Sequence, residues 1–322
     1  MSNTSVSQIP SLPRLHQLWS SDRLARKLLL RVLERIAIGR LVIHDGDQRY
    51  DLGRDGDDSL SAEIHVHHPR VWRRVLTGGT IASGESYIDG DWSSPDLTRV
   101  TRLFCANLPT MEAMEQRQSR LLRVALSLAH GINRNTREGS RRNIAAHYDL
   151  GNDFFELFLD DTMMYSAALF DTPDMPLAAA SRAKLDEICR QLELEPGDHL
   201  LEIGTGWGGM ALHAARNYGC RVTTTTISRE QYEYTRAKVR EAGLEERVEV
   251  LCEDYRALQG SYDKLVSIEM IEAVGHDFYR DYFRTCSALL KPGGKMLLQA
   301  ITIADQRYGS ARDSVDFIKR YI

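Results

Sequence analysis

The sequence predicts an α/β fold: a parallel sheet covered by helices in the second half, with a small α+β domain in front of it. Three observations carry this. After residue 145, short apolar runs alternate with helical stretches, the pattern of a parallel sheet buried on both faces. One of those runs leads into LLEIGTGWGG, residues 200–209, which reads as a strand, a glycine turn and the start of a helix. Before about residue 110, strand and helix patterns mix without that alternation.

Composition sets the outer bounds. The 322 residues fit about two domains, at roughly 150 residues each. With 43% hydrophobic and 27% charged residues, the chain is not disordered, collagenous or held together by disulfides. No apolar run approaches the roughly 18 residues that a membrane span needs. The first residues, MSNTSVSQIPSLPRLHQLWS, lack the basic-then-apolar layout of a secretion signal. Cys105, Cys189, Cys220, Cys252 and Cys286 are scattered and form no CxxC pair. They point to a reduced, cytosolic chain without a structural zinc site. Residues 1–145 carry 21 Lys+Arg against 16 Asp+Glu, a balance of +5, and residues 146–322 carry 20 against 29, a balance of −9. The basic half suits an anionic surface.

In chain order, residues 21–40 read as a basic amphipathic helix. Ser21 or Asp22 would cap it, Gly39 would end it, and Leu24, Leu28, Val32 and Ile36 would line one face. Asp45-Gly46 between two apolar-rich runs signals a hairpin, because glycine accepts a positive φ. Residues 59–68 give a further strand. Its His65 and His67 share a face, and with no carboxylate or cysteine partner recognised beside them no metal site is expected. A helix over 69–77 completes a first domain over 1–114. Residues 115–145, with seven arginines, form a basic connector. In the remainder, strands are expected near 199–204, 221–226, 247–252, 263–268 and 294–301, with Pro292-Gly293-Gly294 as the turn into the last. Helices near 179–193, 208–218, 228–242 and 272–290 lie between them, and 313–322 reads as one more.

The glycine loop is the sharpest local motif. Gly204, Gly206 and Gly208 remove side chains, so the backbone can approach a ligand. Gly204, Gly206 and Gly209 also satisfy the dinucleotide pattern GxGxxG. A dinucleotide site wants an acid about 20 residues on, at the end of the second strand. Here that strand, RVTTTTIS, has none, while Glu202 closes the first strand. The combination favours S-adenosylmethionine.

Longer blocks then become recognisable: IAAHYDLGNDFFELFLDDTMMYSAALF (144–170), LLEIGTGWGGMALHAA (200–215), TTTTISREQYEY (223–234), CEDYRAL (252–258), DKLVSIEMIEAVG (263–275) and LKPGGKMLLQAIT (290–302). Together they resemble the cyclopropane-fatty-acyl-phospholipid synthase family, which includes the mycolic acid cyclopropane synthases. The likeness spans about 145–322 and, more weakly, the first domain through GESYIDGDW (84–92). It implies a class I S-adenosylmethionine-dependent methyltransferase fold, Rossmann-like, over 146–322. It also implies residue roles. Tyr165 and Ser166 would reach the methionine part of the cofactor, and Gly204 and Gly206 would lie under it. Thr226, Ile227 and Gln231 would hold the ribose and adenine side, and Asp254 the adenine amine. Glu272 would be the active-site glutamate, and a bound bicarbonate would act as the base.

Some positions depart from the family pattern. Ala167 stands where the family has Cys, Ala273 where it has His after the glutamate, and Gln299 where it has the His of LLHxI, with Ile301 completing that motif. Glu272, Ala167, Gln299 and Ile301 form the expected catalytic set, and the changed anion pocket touches ring closure more than methyl transfer. The family continues past a FIKRYI-like segment into a lid and two more strands. The expectation here is a catalytic domain truncated at the carboxy end, with five strands of seven.

The resulting expectation is transfer of a methylene or methyl group to the double bond of unsaturated acyl chains in membrane phospholipids, forming a cyclopropane ring. Two alternatives stay open: C-methylation without ring closure, and a non-catalytic cofactor- or lipid-binding remnant. The protein would be a homodimer, cytoplasmic and peripheral at the inner membrane surface. It would face an anionic surface and bind neither nucleic acid nor metal.

Overall fold

The structure is a computed structural model that describes residues 15–54, 60–108, 151–313, 317 and 320. The basic connector 115–145 and the first half of the HYDLGNDFF block lie outside the described residues. The chain divides into two compact units. Met1–His130 and Asp313–Tyr321 form one, and Gly131–Arg312 the core of the other, so the last stretch groups with the first unit.

The first unit is built from α1 (Leu15–Leu33), β1 (Arg40–Asp45), β2 (Gln48–Gly53), β3 (Ser61–Val66), α2 (Arg70–Ile88), β4 (Trp92–Ser93) and α3 (Leu97–Ala106). Its sheet has the order β2-β1-β3-β4, with β1 parallel to β3 and the other pairs antiparallel. The expected first helix starts six residues earlier and ends at Leu33, so Ser21 and Asp22 lie inside it. Its buried face agrees with the expected one at Val32 and Ile36 and departs from it earlier: Ala25, Leu29 and Leu33 are also in the core, Leu28 is half-buried and Leu24 is 60% exposed. Packing of Ala25 and Leu29 into the cluster of Trp72, Leu41 and Leu103 sets the inward face there. The hairpin turn is Gly46-Asp47, since Asp45 pairs with Gln48, and Gly46 has φ +59°. The segment Arg70–Ile88 is two helices that meet at a kink at Gly79 (φ 60°, ψ −141°), so the expected helix 69–77 ends where the glycines begin, and a second helical stretch that was not expected follows to Ile88.

The second unit begins with α4 (Asn152–Glu156) and α5 (Leu177–Leu192). It continues with β5 (His199–Ile203), α6 (Gly209–His213), β6 (Arg221–Thr225), α7 (Arg229–Glu241), β7 (Val248–Leu251), β8 (Tyr262–Ile268), α8 (Tyr279–Leu289), β9 (Leu290–Gln299) and α9 (Asp305–Asp313). The expected helix 208–218 is α6 followed by a π-helical turn at Ala214–Tyr218. The expected helix 272–290 is two short 3₁₀ turns and then α8. All five strands are parallel, in the order β7-β6-β5-β8-β9. Residues 200–203 are buried without alternation, as expected for a strand covered on both faces. One core layer packs Leu200, Val222 and Val266 against Leu185, Ile188 and Met210. The other packs Leu201, Ile203 and Leu265 against Tyr255, Tyr282 and Leu289.

Pro292-Gly293-Gly294 is not a turn between elements. Leu290 pairs with Tyr262 and Lys295 with Lys264, so residues 291–294 bulge opposite Asp263 inside one strand. Gly293 supplies the required φ of +81°.

Candidate functional site

The sheet order reverses between β5 and β8, and in open α/β sheets ligands bind beyond the carboxyl ends of strands at such a point. The expected site residues follow the carboxyl ends of all five strands: 204–208 after β5, 226–231 after β6, Asp254 after β7, Glu272 after β8, and Gln299 and Ile301 at the end of β9.

The loop after β5 is pinned by Gly204 N and Thr205 N donating to Thr225 O at 3.0 and 3.1 Å. Its glycines have separate reasons. A Cβ on Gly208 would strike Thr235 at 2.6 Å, so Gly208 serves helix packing. A Cβ on Gly204 would press on Met270 at 3.2 Å. Gly206, at φ +53°, faces open space with nothing within 4 Å, which is a backbone surface that a ligand can approach. Glu202 is 2% exposed, and its Oε2 accepts a 2.7 Å hydrogen bond from Thr224 Oγ1 in the sheet interior. Burial pushes its carboxyl up to about 8, with the Thr224 hydrogen bond opposing.

Beyond β6, Thr226 Oγ1 donates to Gln231 Oε1 at 2.8 Å, and Ser228 caps α7 by accepting from Gln231 N. Gln231 Nε2 is buried and has no partner among the described residues, an open donor, and Ile227 is half-buried. Gly206 and this donor fit a nucleoside-bearing ligand. Asp254, implied for the adenine amine, has a carboxylate that accepts from Arg256 N, Nε and Nη2 at 3.0, 2.8 and 2.6 Å.

Tyr165 is 45% exposed. With Phe155, Phe158 and Trp207 it forms an aromatic group, with centroids 5.3 to 6.3 Å from the Tyr165 ring. Trp207 is held by donating to Asn152 Oδ1 at 2.7 Å. Ser166 Oγ accepts from Lys184 Nζ. Lys184 lies on α5 and is buried. Desolvation lowers its ammonium to about 8, against the opposing charges of Glu269 and Asp160. A lone lysine in an amphipathic helix gave no signal in the sequence.

The anion pocket differs from the implied one. Ala167 N donates to Glu269 Oε1 at 2.9 Å, and Gln299 Nε2 donates to the same oxygen at 2.7 Å. Ile301 N donates to Glu272 Oε1. The donors expected to hold bicarbonate are therefore bound by two carboxylates of the chain itself. Sequence reasoning fixed on Glu272 and missed Glu269. Pairing of Ile268 with Gln299, and Glu269 N donating to Gln299 O at 2.9 Å, bring it there. Glu269 also has φ +47°, a left-handed backbone that non-glycine residues adopt at some cost and that collects at functional sites.

Residues 135–322 match the family model described as mycolic acid cyclopropane synthetase. The chain belongs to that family. Over 98% of its length this family member is 37% identical to tuberculostearic acid methyltransferase UfaA1 of Mycobacterium tuberculosis, spanning 73% of that protein. Over 76% of its length it is 39% identical to the cyclopropane-fatty-acyl-phospholipid synthase of Escherichia coli. There it spans 62%, less than two thirds, of the relative. Among solved structures it is similar to the cyclopropane synthase MmaA2 of Mycobacterium tuberculosis. The TM-score is 0.50 and the identity 36%, covering 53% of this chain and 60% of that one. The second unit of this cyclopropane synthetase family member has the S-adenosylmethionine-dependent methyltransferase fold. Among the described residues, no helix is long and apolar enough to cross a membrane.

Proposed function

We propose that the protein is an S-adenosylmethionine-dependent C-methyltransferase that acts on unsaturated acyl chains of membrane lipids and uses Glu269 as its built-in base. The carrying observation is the Glu269 carboxylate, held by Ala167 N and Gln299 Nε2 where the family resemblance implied a diffusible anion.

The cofactor, when bound, supplies an electrophilic sulfonium methyl group. Gly206 and Gln231 Nε2 would hold it, and Tyr165, whose ring centroid is 6.3 Å from that of Trp207 next to Gly206, would reach its methionine part. An alkene is a weak, neutral nucleophile, so the protein's work is positioning and exclusion of water. The alkene π pair would form the new C–CH3 bond with that methyl group, whose former bonding pair would stay on the cofactor's sulfur. The positive charge left on the chain faces carboxylates and aromatic rings, which stabilise cations. Glu269 takes a proton from the methylated chain, and the freed C–H pair forms a new double bond. The product is a methylated chain that keeps one unsaturation. Exposed Phe154, Leu157, Phe158, Ile301 and Ile303 suit an apolar substrate.

Likeness to UfaA1 over nearly the whole chain supports branching over ring closure. The basic balance of residues 1–145 supports docking of that half on an anionic membrane surface on the cytoplasmic side. The test is incubation of the protein with S-adenosylmethionine and vesicles of unsaturated phospholipid, read by mass spectrometry and proton NMR. A gain of one CH2 with olefinic signals retained supports the proposal. The same gain with olefinic signals replaced by cyclopropane protons overturns the branching assignment.

A further inference from the structure

We infer that His44, Glu63 and His65 form a binding site for a zinc-class divalent cation on the face of the first sheet opposite its core. The three residues offer ligand atoms that lie within 4.8 Å of one another. His44 Nε2 is 3.1 Å and His65 Nε2 is 2.9 Å from the same carboxylate oxygen, Glu63 Oε1. The two imidazoles are stacked, with centroids 4.8 Å apart and planes 8° from parallel. A tetrahedral ion with bonds of about 2.0–2.2 Å holds its donor atoms roughly 3.3 Å apart. The observed N···O distances are close to that value, and the stacked rings would tilt toward each other so that both Nε2 lone pairs, which lie in the ring planes, meet on one ion.

The positions follow from the sheet. β1 and β3 are parallel neighbours in which His44 pairs with His65 and Val42 with Glu63. Leu41 and Ile43 enter the core, which puts His44 on the other face with Glu63 and His65. The donors thus stand on two hydrogen-bonded strands rather than on a loop, which fixes their spacing. Arg49 is opposite His44 in register, and its charge is engaged by Asp51 at 3.6 Å. His67 follows on the same side of the strand line, with Nε2 2.7 Å from Ser93 Oγ. Two imidazole nitrogens with one carboxylate oxygen select zinc-like metals over calcium or magnesium, which require mostly oxygen ligands. The side chains are 35–43% exposed, so a fourth position remains open to water. Sequence reading passed over this set although Glu63 stands two residues before His65. The missing member, His44, arrives from another strand.

The test uses untagged full-length protein, stripped with chelator and titrated with Zn²⁺ against a competing chromophoric chelator, then with Co²⁺ for its visible absorption. The expected result is one equivalent of tight binding and Co²⁺ bands of nitrogen–oxygen coordination. Glu63→Gln, which keeps shape, and the pair His44→Ala with His65→Ala should each weaken binding by more than about 100-fold, beyond the roughly 10–100-fold that loss of a supporting partner alone costs. His68→Ala, an exposed neighbour outside the set, should leave binding unchanged. Absence of binding at micromolar Zn²⁺, or binding in Glu63→Gln and in the double variant as tight as in the native protein, overturns the assignment and leaves a carboxylate bridging two histidines.

Discussion

Beyond β5 and β6, the second unit leaves the proposed cofactor-binding groups open; beyond β8 and β9 the proposed anion donors are filled. Among the described residues Gln231 Nε2 is buried without a partner, and a Cβ on Gly206 would meet nothing within 4 Å. Ala167 N, Gln299 Nε2 and Ile301 N, by contrast, all end on carboxylates of the chain. An open donor waits for something that must leave again, as a spent cofactor must. A filled donor belongs to a group that stays for every turnover. The difference separates what the protein borrows from what it carries.

The largest effect expected on this contrast is at the open side. Gly206→Val places a branched side chain at φ +53° in the space left for the ligand. Calorimetry should show cofactor affinity lost by about 100-fold or more with the fold intact by circular dichroism. Unchanged affinity would remove the loop from the site.

At the filled side, Glu269→Gln keeps both hydrogen bonds but not the basicity. Turnover should fall by about 100-fold or more while cofactor affinity holds. Glu269→Ala, which frees the two donors, should regain part of its activity with added bicarbonate or formate, and the native protein should ignore both. If the native rate rises with bicarbonate, the base is borrowed after all and the contrast collapses.

A third expectation concerns Glu202. Its folded carboxyl lies at about 8 against an ordinary 4.5, so between these values the folded state binds more protons than the unfolded one. Stability should therefore fall as pH rises from about 4.5 to 8, by a total on the order of a few kcal/mol. Urea unfolding across that range should show the slope, and Glu202→Gln should flatten it. The smallest effect is expected for Gln231→Leu, about tenfold in cofactor affinity, the scale of one good hydrogen bond.

How much the sequence made legible follows the same line. The five parallel strands agree with expectation to within a few residues, because buried runs and glycine turns are local signals. The inward placing of Ala25 and Leu29 in α1 and the helical stretch that resumes after Gly79 were not, since packing decided the first and a kink at glycine the second. In the site, the glycines, Thr226 and Glu272 stand in recognisable strings. Glu269 depends on the register of β8 with β9, Lys184 on burial of one helix face, and His44 with Glu63 on a parallel strand pair. Each of these is a relation between distant segments, and no short string contains it.

The backbone of Glu269 has a consequence for stability. At φ +47° any side chain with a Cβ is held against its preference by roughly 1 kcal/mol, and glycine is not. Glu269→Gly relieves that cost but takes away the acceptor of Ala167 N and Gln299 Nε2, so no gain in melting temperature is expected to accompany the loss of turnover. The two hydrogen bonds hold the carboxylate in place against its own backbone, and the position keeps its acid only while both donors face it.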